Sequence, residues 1–457
     1  MSFYSVNFLL FFAAATGLVQ LAKTPKAQRW VFLLANALFY AYWDVRFLLL
    51  LLGVIAACYA AARMFERSGK SAFLYGCVGV CLALLGFCKY YNFFVSSFAR
   101  AFGVEAGTLN IILPLGISFY LFQAMSYLLD VKKGTIPAER DFVKLAAYIS
   151  FFPQITSGPI VKAHDFLPQL ERLHRVKKDN AYLGITRFLT GLTKKVVIAD
   201  RVGVAVNAVF AAPAAYDGFS IAMAIIGYSL QIYCDFSGYS DMAIGIATIW
   251  DFDLGRNFNM PYLAENPSDF WRRWHISLSS WFRDYVYIPL GGSRRGQLRT
   301  YVNLFATMVL SGLWHGANAT YLVWGAYHGI GCVVHRLLGK RGAGKKPWQT
   351  ALCAAANCLF VSLGWVIFRA ETMAQALEVF RGLFRGTGVC YVNVFTVAYG
   401  LILALTHLYA RFRLHGNAPQ PALRLDTFRG KLQLCIWIFL IAMLMYCGNS
   451  AFIYANF

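Results

Sequence analysis

The chain has 457 residues, of which 59% are hydrophobic, 17% aromatic and only 14% charged. This composition excludes an ordinary water-soluble globular domain and is typical of helices that face lipid. The net charge of +21 is carried mainly by connecting segments. It therefore favours basic loops next to anionic lipid over a surface that binds nucleic acid.

Long unbroken apolar runs predict an all-α polytopic membrane protein, because helices satisfy their backbone polar groups within lipid. The candidate spans, in chain order, are 5–22, 30–43, 46–62, 72–98, 109–129, 143–161, 181–213, 218–250, 301–335, 349–368, 391–410 and 432–448. We expect about eleven crossings, with shorter re-entrant or interfacial helices between them. No separate soluble domain is evident, so residues 1–457 are interpreted as one membrane domain.

An isolated polar group, Asp235, Ser237 and Asp241, interrupts one of the long apolar runs. That run contains no Lys or Arg, and a carboxylate at membrane depth costs about 2.5–3.5 kcal/mol. Each carboxylate therefore needs a distant cationic partner or a water-filled cavity. Gly238 and Gly245 share a helical face with Asp241, so a neighbouring helix can approach closely there. A packing role and a catalytic role both remain open.

The segment 251–300 is amphipathic and rich in aromatic residues and arginine, which predicts an interfacial or re-entrant element. Arg272, Arg273 and Arg283 suit the lipid headgroup region. They equally suit the phosphates of a nucleotide-containing acyl donor. His275 lies among them and is either a packed interfacial histidine or a polar group of an active site.

The run 300–335 contains no Asp, Glu, Lys or Arg, so an ionisable group within it is a functional candidate. Two G-x-x-x-G frames, 312–316 and 325–329, each carry a histidine before the closing glycine. Such frames are typical of closely crossing helices. His315 and His328 are thirteen residues apart, about 220° around an ideal helix, so one straight helix cannot present both to one site.

The other histidines and the cysteines give weaker signals. Four histidines stand near basic or polar loops and are most simply solvated: His164, His174, His335 and His415. His407 lies alone on an apolar run and is interpreted as a packing residue. The eleven cysteines show no spacing framework, the nearest pair being Cys77 and Cys81. We expect reduced thiols at helix interfaces, with neither a disulfide scaffold nor a metal site.

Five segments, in order, resemble the signatures of the membrane-bound O-acyltransferase family: Phe152 to Ile160, Tyr233 to Met242, Phe270 to Arg283, Ile288 to Gly292, and Ser311 to Gly316. The resemblance is closest to the bacterial branch that includes the membrane subunit of alginate O-acetyltransferase. It covers a core of about 110–336, followed by C-terminal transmembrane helices in 337–457. It implies a ring of helices with a thinned centre, where an acyl group meets a hydroxyl acceptor.

The resemblance also implies roles for two histidines. His315, next to Trp314, matches the family's catalytic histidine, and His275 matches a second signature position. Imidazole, with a reference pKa of about 6.5, is mostly neutral near pH 7 and can accept the proton of an attacking hydroxyl. His275 would orient the thioester or stabilise charge on its carbonyl oxygen. Covalent acylation of His315 is an open alternative.

We therefore expect a multi-pass enzyme of the bacterial cell membrane that transfers an acyl group, most simply acetyl. Its co-substrate would be a cytoplasmic thioester, acetyl-CoA or an acyl-carrier, with no bound cofactor. The acceptor would be an extracytoplasmic polysaccharide such as alginate, or a partner transferase subunit. Transfer of D-alanine to teichoic acid is an alternative. From other classes, a proton-coupled transporter or flippase that relays protons through Asp235, Asp241 and His315, and a non-catalytic assembly subunit, remain open.

Overall fold

The computed structural model describes residues 1–105, 107–156, 158–339, 346–414, 417, 423–446 and 448. Within these residues the chain is a set of helices joined by short turns. The one β-type pairing among them is an isolated parallel bridge between Tyr216 and Val389. The predicted all-α class is confirmed.

The first four helices form the N-terminal part of the bundle. They are α1 (Val6–Leu21), α2 (Pro25–Ala41), α3 (Val45–Ser68) and α4 (Ala72–Phe102). Side-chain oxygens of Ser5, Thr24 and Asp44 accept backbone N–H groups at the starts of α1, α2 and α3. These caps satisfy donors that have no partner within a helix. The local sequence thus sets where these three helices begin.

The middle of the chain alternates broken and long helices. They are α5 (Ile117–Lys133), α6 (Phe142–Ile149), α7 (Phe152–Ile155), α8 (Ala163–Phe166), α9 (Lys178–Leu192), α10 (Asp200–Ala211) and α11 (Gly218–Ile249). A π-helical segment, Thr193–Ala199, joins α9 to α10 without a break. Before α5, Gly116 has a φ of +68°, and a Cβ there would lie 1.9 Å from the Ile155 carbonyl oxygen. Only glycine fits this close approach.

The described part of the C-terminal half contains eight helices. They are α12 (Pro267–Arg273), α13 (Ile276–Phe282), α14 (Gln297–His315), α15 (Ala319–Leu337), α16 (Pro347–Arg369), α17 (Met373–Gly382), α18 (Val394–Arg413) and α19 (Phe428–Leu444). A π-helical segment, Arg283–Tyr287, follows α13. The apolar run 301–335 is a hairpin of two helices, because Gly316 is extended and Asn318 caps the start of α15. Segment 251–300 contains the two short helices α12 and α13, and its interfacial or re-entrant position stays a prediction.

Among the described residues, five helices are long and apolar enough to cross a membrane by length and composition. They are Val45–Ser68, Ala72–Ala99, Gly218–Ile249, Trp348–Arg369 and Val394–Arg413. A multi-pass membrane protein is therefore confirmed. The count of about eleven crossings is not established by this criterion and stays a prediction.

Helix α11 is the buried centre of the fold, and its side chains belong to both large apolar clusters. Helix α9 packs against α11 through glycines on both helices. A Cβ on Gly191 would lie 2.3 Å from the Gly238 carbonyl oxygen, and one on Gly184 would lie 2.6 Å from that of Gly245. The close helix approach predicted from Gly238 and Gly245 is confirmed.

Candidate active site

The tip of the α14–α15 hairpin places His315 inside the protein. His315 is the last residue of α14 and is only 3% exposed. Aromatic rings of Trp314, Trp324 and Phe368 surround its imidazole, with centroid distances of 5.0 to 5.1 Å. The ring is therefore held in a defined orientation, away from bulk water.

The hairpin itself depends on the predicted glycine frames. A Cβ on Gly312 would lie 2.3 Å from the Tyr321 carbonyl oxygen, and one on Gly325 would lie 2.6 Å from that of Met308. The two backbones touch, as small residues at a helix crossing permit. The frames thus serve packing, and this packing positions His315.

A second helix holds the end of α14. Lys89 and Tyr90, both on α4, donate to the carbonyl oxygens of Trp314 and Leu313, respectively. The last carbonyls of a helix have no partner within it, and a cation there complements the helix dipole. The Lys89 ammonium also lies 5.4 Å from the centre of the Trp314 ring. The backbone on which His315 is carried is thereby fixed.

His275 caps helix α13 in a strained backbone conformation. Its φ of 43° lies in the left-handed region, and its Nδ1 accepts the backbone N–H of Leu278 at 3.2 Å. Because Nδ1 is an acceptor, the neutral ring carries its proton on Nε2. Within the described residues, Nε2 is buried and has no hydrogen-bond partner. A buried donor without a partner is costly, so Nε2 is available to bind substrate or water.

The turn that carries His275 is tied to α11. The backbone N–H of Ile276 donates to the Asn257 carbonyl, and the Asn257 side chain accepts from the Ser277 hydroxyl at 2.9 Å. The amide of Asn257 donates in turn to Ser240 at 3.2 Å. The 1% exposed Asn257 therefore fixes the left-handed turn against the buried central helix.

Trp314 packs against both histidines. Its ring centroid is 5.0 Å from that of His315 and 6.1 Å from that of His275. The same indole also packs on Phe119 and Phe122 of α5. Within the described part of the chain its buried indole Nε1 makes no hydrogen bond. The structure therefore brings His315, His275 and Trp314 into one buried site.

The acidic residues of α11 are held by cations from the neighbouring helix. Asp235 is paired with Lys195 at 2.7 Å. Asp241 is paired with Arg187 at 3.1 Å and Lys194 at 2.7 Å. Of the two environments expected for these carboxylates, a distant cation or a cavity, Asp235 has the first, and Asp241 has both, because it also lines a cavity of about 240 Å³. The arrangement joins α11 to α9 and the π-helical segment, so it supports a packing role for both carboxylates, and Ser237 is buried on the same helix.

The three candidate arginines separate into two environments. Arg272 and Arg283 line a cavity of about 570 Å³, together with Arg336. The cavity extends to Ser311, one helical turn before His315. Arg273 instead binds Asp269 at 2.9 Å and the Asn259 carbonyl at 3.3 Å, and it does not line this cavity.

Comparison with known proteins now decides the family. Residues 136–368 match the profile of the membrane-bound O-acyltransferase family. The chain is 42% identical to a Pseudomonas putida protein named as a probable alginate O-acetylase, over 83% of this chain and 79% of that one. It is 36% identical to a peptidoglycan O-acetyltransferase of Helicobacter pylori, over 86% and 80%. It is 30% identical to a teichoic acid D-alanyltransferase of Bacillus subtilis, over 57% and 70%.

The chain belongs to the membrane-bound O-acyltransferase family. It is therefore an O-acyltransferase, as the sequence predicts, and the buried histidine pair is its candidate catalytic centre. The individual roles of His315 and His275 remain predictions that this geometry supports. Ser157, part of one family-like segment, lies outside the described residues.

Lys89 is a residue of this O-acyltransferase that the sequence reasoning missed. It is the only charged residue between positions 72 and 99. A lone ionisable group in an apolar run is a functional candidate, and this holds for Lys89 as it does for His315. What the sequence does not reveal is its contact, which lies 225 positions along the chain at Trp314.

The remaining histidines are mostly structural. The prediction that His174 is solvated is wrong, because it is 1% exposed and its ring nitrogens lie 2.8 Å from the carbonyl oxygens of Trp250 and Gln169. His164 lies near Asp130 and His335 lines the arginine cavity, whereas His415 is outside the described residues. His407 is buried and binds the Leu403 carbonyl, as a packing residue would.

His328 lies on α15, on the other arm of the hairpin from His315. It is fully buried, and Trp324 separates the two histidines, with ring distances of 5.1 Å to His315 and 4.9 Å to His328. Within the described residues neither of its ring nitrogens makes a hydrogen bond. The aromatic rings around His328 therefore pack next to the site. Of these two histidines, His315 is the one that packs on Trp314.

Proposed function

We propose that this O-acyltransferase moves an acetyl group from a thioester donor to a hydroxyl of an extracytoplasmic polysaccharide, directly or through a partner transferase subunit. The observation that carries the proposal is that His315 and His275 both pack on Trp314 in one buried site, with His315 one helical turn from an arginine-lined cavity. The names of the relatives support the choice of acetyl and of a polysaccharide acceptor.

The reaction begins when the acceptor hydroxyl loses its proton to His315 as its oxygen attacks the thioester carbonyl carbon. Collapse of the tetrahedral intermediate completes the C–O bond and breaks the C–S bond. The leaving thiolate takes the proton from the His315 imidazolium, so the products are an ester and a thiol. General-base assistance of this kind is worth about 10²–10⁴-fold.

His275 acts on the carbonyl oxygen of the thioester. Its Nε2–H has no partner within the described residues and is preorganised by the Nδ1 bond to Leu278. It can therefore donate to the oxygen as negative charge develops there. A single preorganised donor of this type is worth about 10²–10³ in rate.

The donor reaches the site through the arginine cavity. Guanidinium groups of Arg272, Arg283 and Arg336 suit the phosphates of coenzyme A or of a carrier-bound phosphopantetheine arm. The volume of about 570 Å³ is in the range of small-molecule sites. The reactive thioester end would extend past Ser311 towards His315.

The orientation across the membrane follows from the basic segments around this cavity. Arg294, Arg295 and Arg299 lie at the foot of α14, and basic residues are retained on the cytoplasmic side. Helix α14 is not among the five helices that meet the length and apolarity criterion, but its 19 residues would reach about 28 Å, close to the hydrocarbon thickness of about 30 Å. The hairpin tip then faces outwards, so donor and acceptor approach from opposite sides of the bacterial cytoplasmic membrane.

The transporter alternative is less well supported by the geometry. Asp235 and Asp241 are held by cationic side chains of the adjacent helix rather than aligned with His315. A proton relay would need groups that bridge these positions. D-alanyl transfer remains the second candidate, because of the similarity to the Bacillus subtilis protein.

Thioester consumption in membranes of the producing bacterium tests the proposal, because these membranes keep any partner subunit. Membranes containing the intact chain are supplied with acetyl-CoA, and free thiol and polymer-bound acetyl ester are measured together. The proposal predicts equal amounts of thiol and ester, both lost in His315→Ala and retained in His407→Ala. Movement of a solute driven by a proton gradient, without thiol release, would contradict it.

A further inference from the structure

Three cysteine thiols meet at the interface of α3 and α4. Cys58 lies on α3, and Cys77 and Cys81 lie one turn apart on α4. Their sulfur atoms are all within 4.8 Å of one another, and the Cys58 and Cys77 sulfurs are 3.7 Å apart. The three side chains are 0%, 9% and 2% exposed, respectively. This cluster, called here the trithiol, lies apart from the histidine site.

The sulfur spacing fits a three-coordinate metal ion. With metal–sulfur bonds of about 2.3 Å, three ligands at the corners of a triangle are about 4 Å apart. The Cys58–Cys77 separation of 3.7 Å is close to this value, and the other two sulfur pairs lie within 4.8 Å, so at most a small shift of the side chains would close the triangle. In the part of the chain that the structure describes, no fourth His, Cys, Asp or Glu ligand atom joins the group. A structural zinc site, which needs four ligands, is therefore incomplete here.

We propose that the trithiol of Cys58, Cys77 and Cys81 binds one copper(I) ion. Soft thiolate ligands select copper(I), and this ion accepts fewer than four ligands. Binding releases thiol protons as Cu–S bonds form, and no electron is transferred.

The position of the trithiol allows an ion to enter and gives it a structural consequence. Cys77 is the most exposed of the three cysteines. It lies about 8 Å along α4 from the start of that helix, and the basic segment 67–70 leads from the end of α3 to this start. The same helix carries Lys89, which holds the end of α14. A bound ion would thus join α3 to the helix that positions the catalytic histidine, and binding to the native state alone stabilises it.

Copper(I) titration of the full chain tests this proposal. The reduced protein in detergent, under anaerobic conditions, competes with a coloured copper(I) chelator. We expect one copper(I) per chain, with Cys58→Ser and Cys81→Ser binding at least on the order of 100-fold more weakly, since loss of a ligand exceeds the 10–100-fold typical of outer-shell partners. Cys88→Ser, on α4 but outside the trithiol, should bind as the parent does.

Controls separate loss of the site from loss of the fold. Each serine variant is compared with the corresponding alanine variant, and thermal unfolding without copper shows that the chain remains folded. Failure of the parent to compete for copper(I), tighter binding of Zn²⁺ than of copper(I), or equal weakening in Cys88→Ser would each overturn the proposal. A Cys58–Cys77 disulfide in freshly isolated protein, found by mass spectrometry, would also overturn it.

Discussion

Lys89 donates its ammonium proton to the carbonyl oxygen of Trp314, which joins α4 to the end of α14. The contact lies one residue before His315 and is reinforced by Tyr90, which binds the preceding carbonyl. A helix end is where backbone acceptors lack partners, so two donors there restrict how α14 can fray. The histidine proposed as the base is thus oriented by a residue that never touches the reacting atoms.

Replacing Lys89 with methionine is expected to slow acyl transfer while leaving the chain folded. A hydrogen bond to a charged group is worth about 1.5–3 kcal/mol, so misorientation of His315 should reduce the rate by roughly 10- to 100-fold. The measurement is ester formation at matched membrane levels of protein, with thermal unfolding in detergent as a check on folding.

Tyr91→Phe, two positions after Lys89 on α4, is the matched control and should leave the rate unchanged. Tyr90→Phe removes the bond to the Leu313 carbonyl and should give a smaller loss than Lys89→Met. A full rate in Lys89→Met would show that α4 does not position His315.

At His275, alanine and asparagine should behave differently. Asparagine tolerates the left-handed backbone, and its side-chain oxygen can accept the Leu278 N–H while its amide donates towards the site. Alanine removes both functions. We expect a loss of about 10²–10³-fold in kcat for His275→Ala and a markedly smaller one for His275→Asn. Equal losses in the two variants would argue that His275 is only a packing residue.

The glycines of the α14–α15 hairpin are predicted to tolerate no side chain. Gly312→Ala and Gly325→Ala each place a methyl group against backbone carbonyls, and overpacking of this kind costs about 1–3 kcal/mol. We expect lower thermal stability together with reduced transfer, because the hairpin carries His315. Gly86→Ala on α4, where the added Cβ meets nothing within 4 Å, is the control and should not be destabilised.

The cavity arginines should affect donor binding more than turnover. Arg272→Gln or Arg283→Gln removes a cation from the cavity wall, and loss of one charged contact to a phosphate is expected to raise KM for the donor roughly tenfold. Arg273→Gln should leave this KM unchanged, because its guanidinium is bound to Asp269 outside the cavity. If Arg273→Gln raised KM as much as the other two, the cavity would not be the donor site.

The ion pairs of α11 are predicted to serve stability. Lys195 pairs with both Asp235 and Asp200, so Lys195→Met removes one cation from two buried carboxylates, and breaking such pairs costs about 3–5 kcal/mol. Asp235→Asn keeps the Lys195–Asp200 pair and a polar contact, so its loss in thermal stability should be smaller. Residual protein of either variant should still transfer acyl groups. A folded Asp235→Asn variant without any transfer would instead indicate a catalytic carboxylate.

The sequence predicted the local features that follow directly from residue type. The apolar runs predicted helices, the glycine frames predicted close crossings, and the isolated Asp235 and Asp241 predicted distant cations. Each of these follows from the cost of polar groups in lipid or from the size of a side chain. The resemblance to family signatures, not the periodicity, placed His315 and His275 at the site.

Contacts between distant helices were beyond prediction. Nothing in the spacing of Cys77 and Cys81 indicates that Cys58 from α3 completes a cluster. Likewise, the basic residues next to His174 in the sequence predict a solvated side chain, whereas its neighbours in space are Trp250 and Phe252. Arg272 and Arg273 have different surroundings because consecutive residues of a helix point about 100° apart. Sequence position alone does not resolve which of them faces the cavity with Arg283.

The most direct test of the account is the acyl-ester content of cell-surface polymers in bacteria that express the intact chain, His315→Ala or His407→Ala at equal membrane levels. If His315 is the catalytic base, esters are present with the intact chain and with His407→Ala and are absent with His315→Ala, and the polymer that carries them identifies the acceptor. Esters that persist unchanged with His315→Ala would contradict acyl transfer through this histidine.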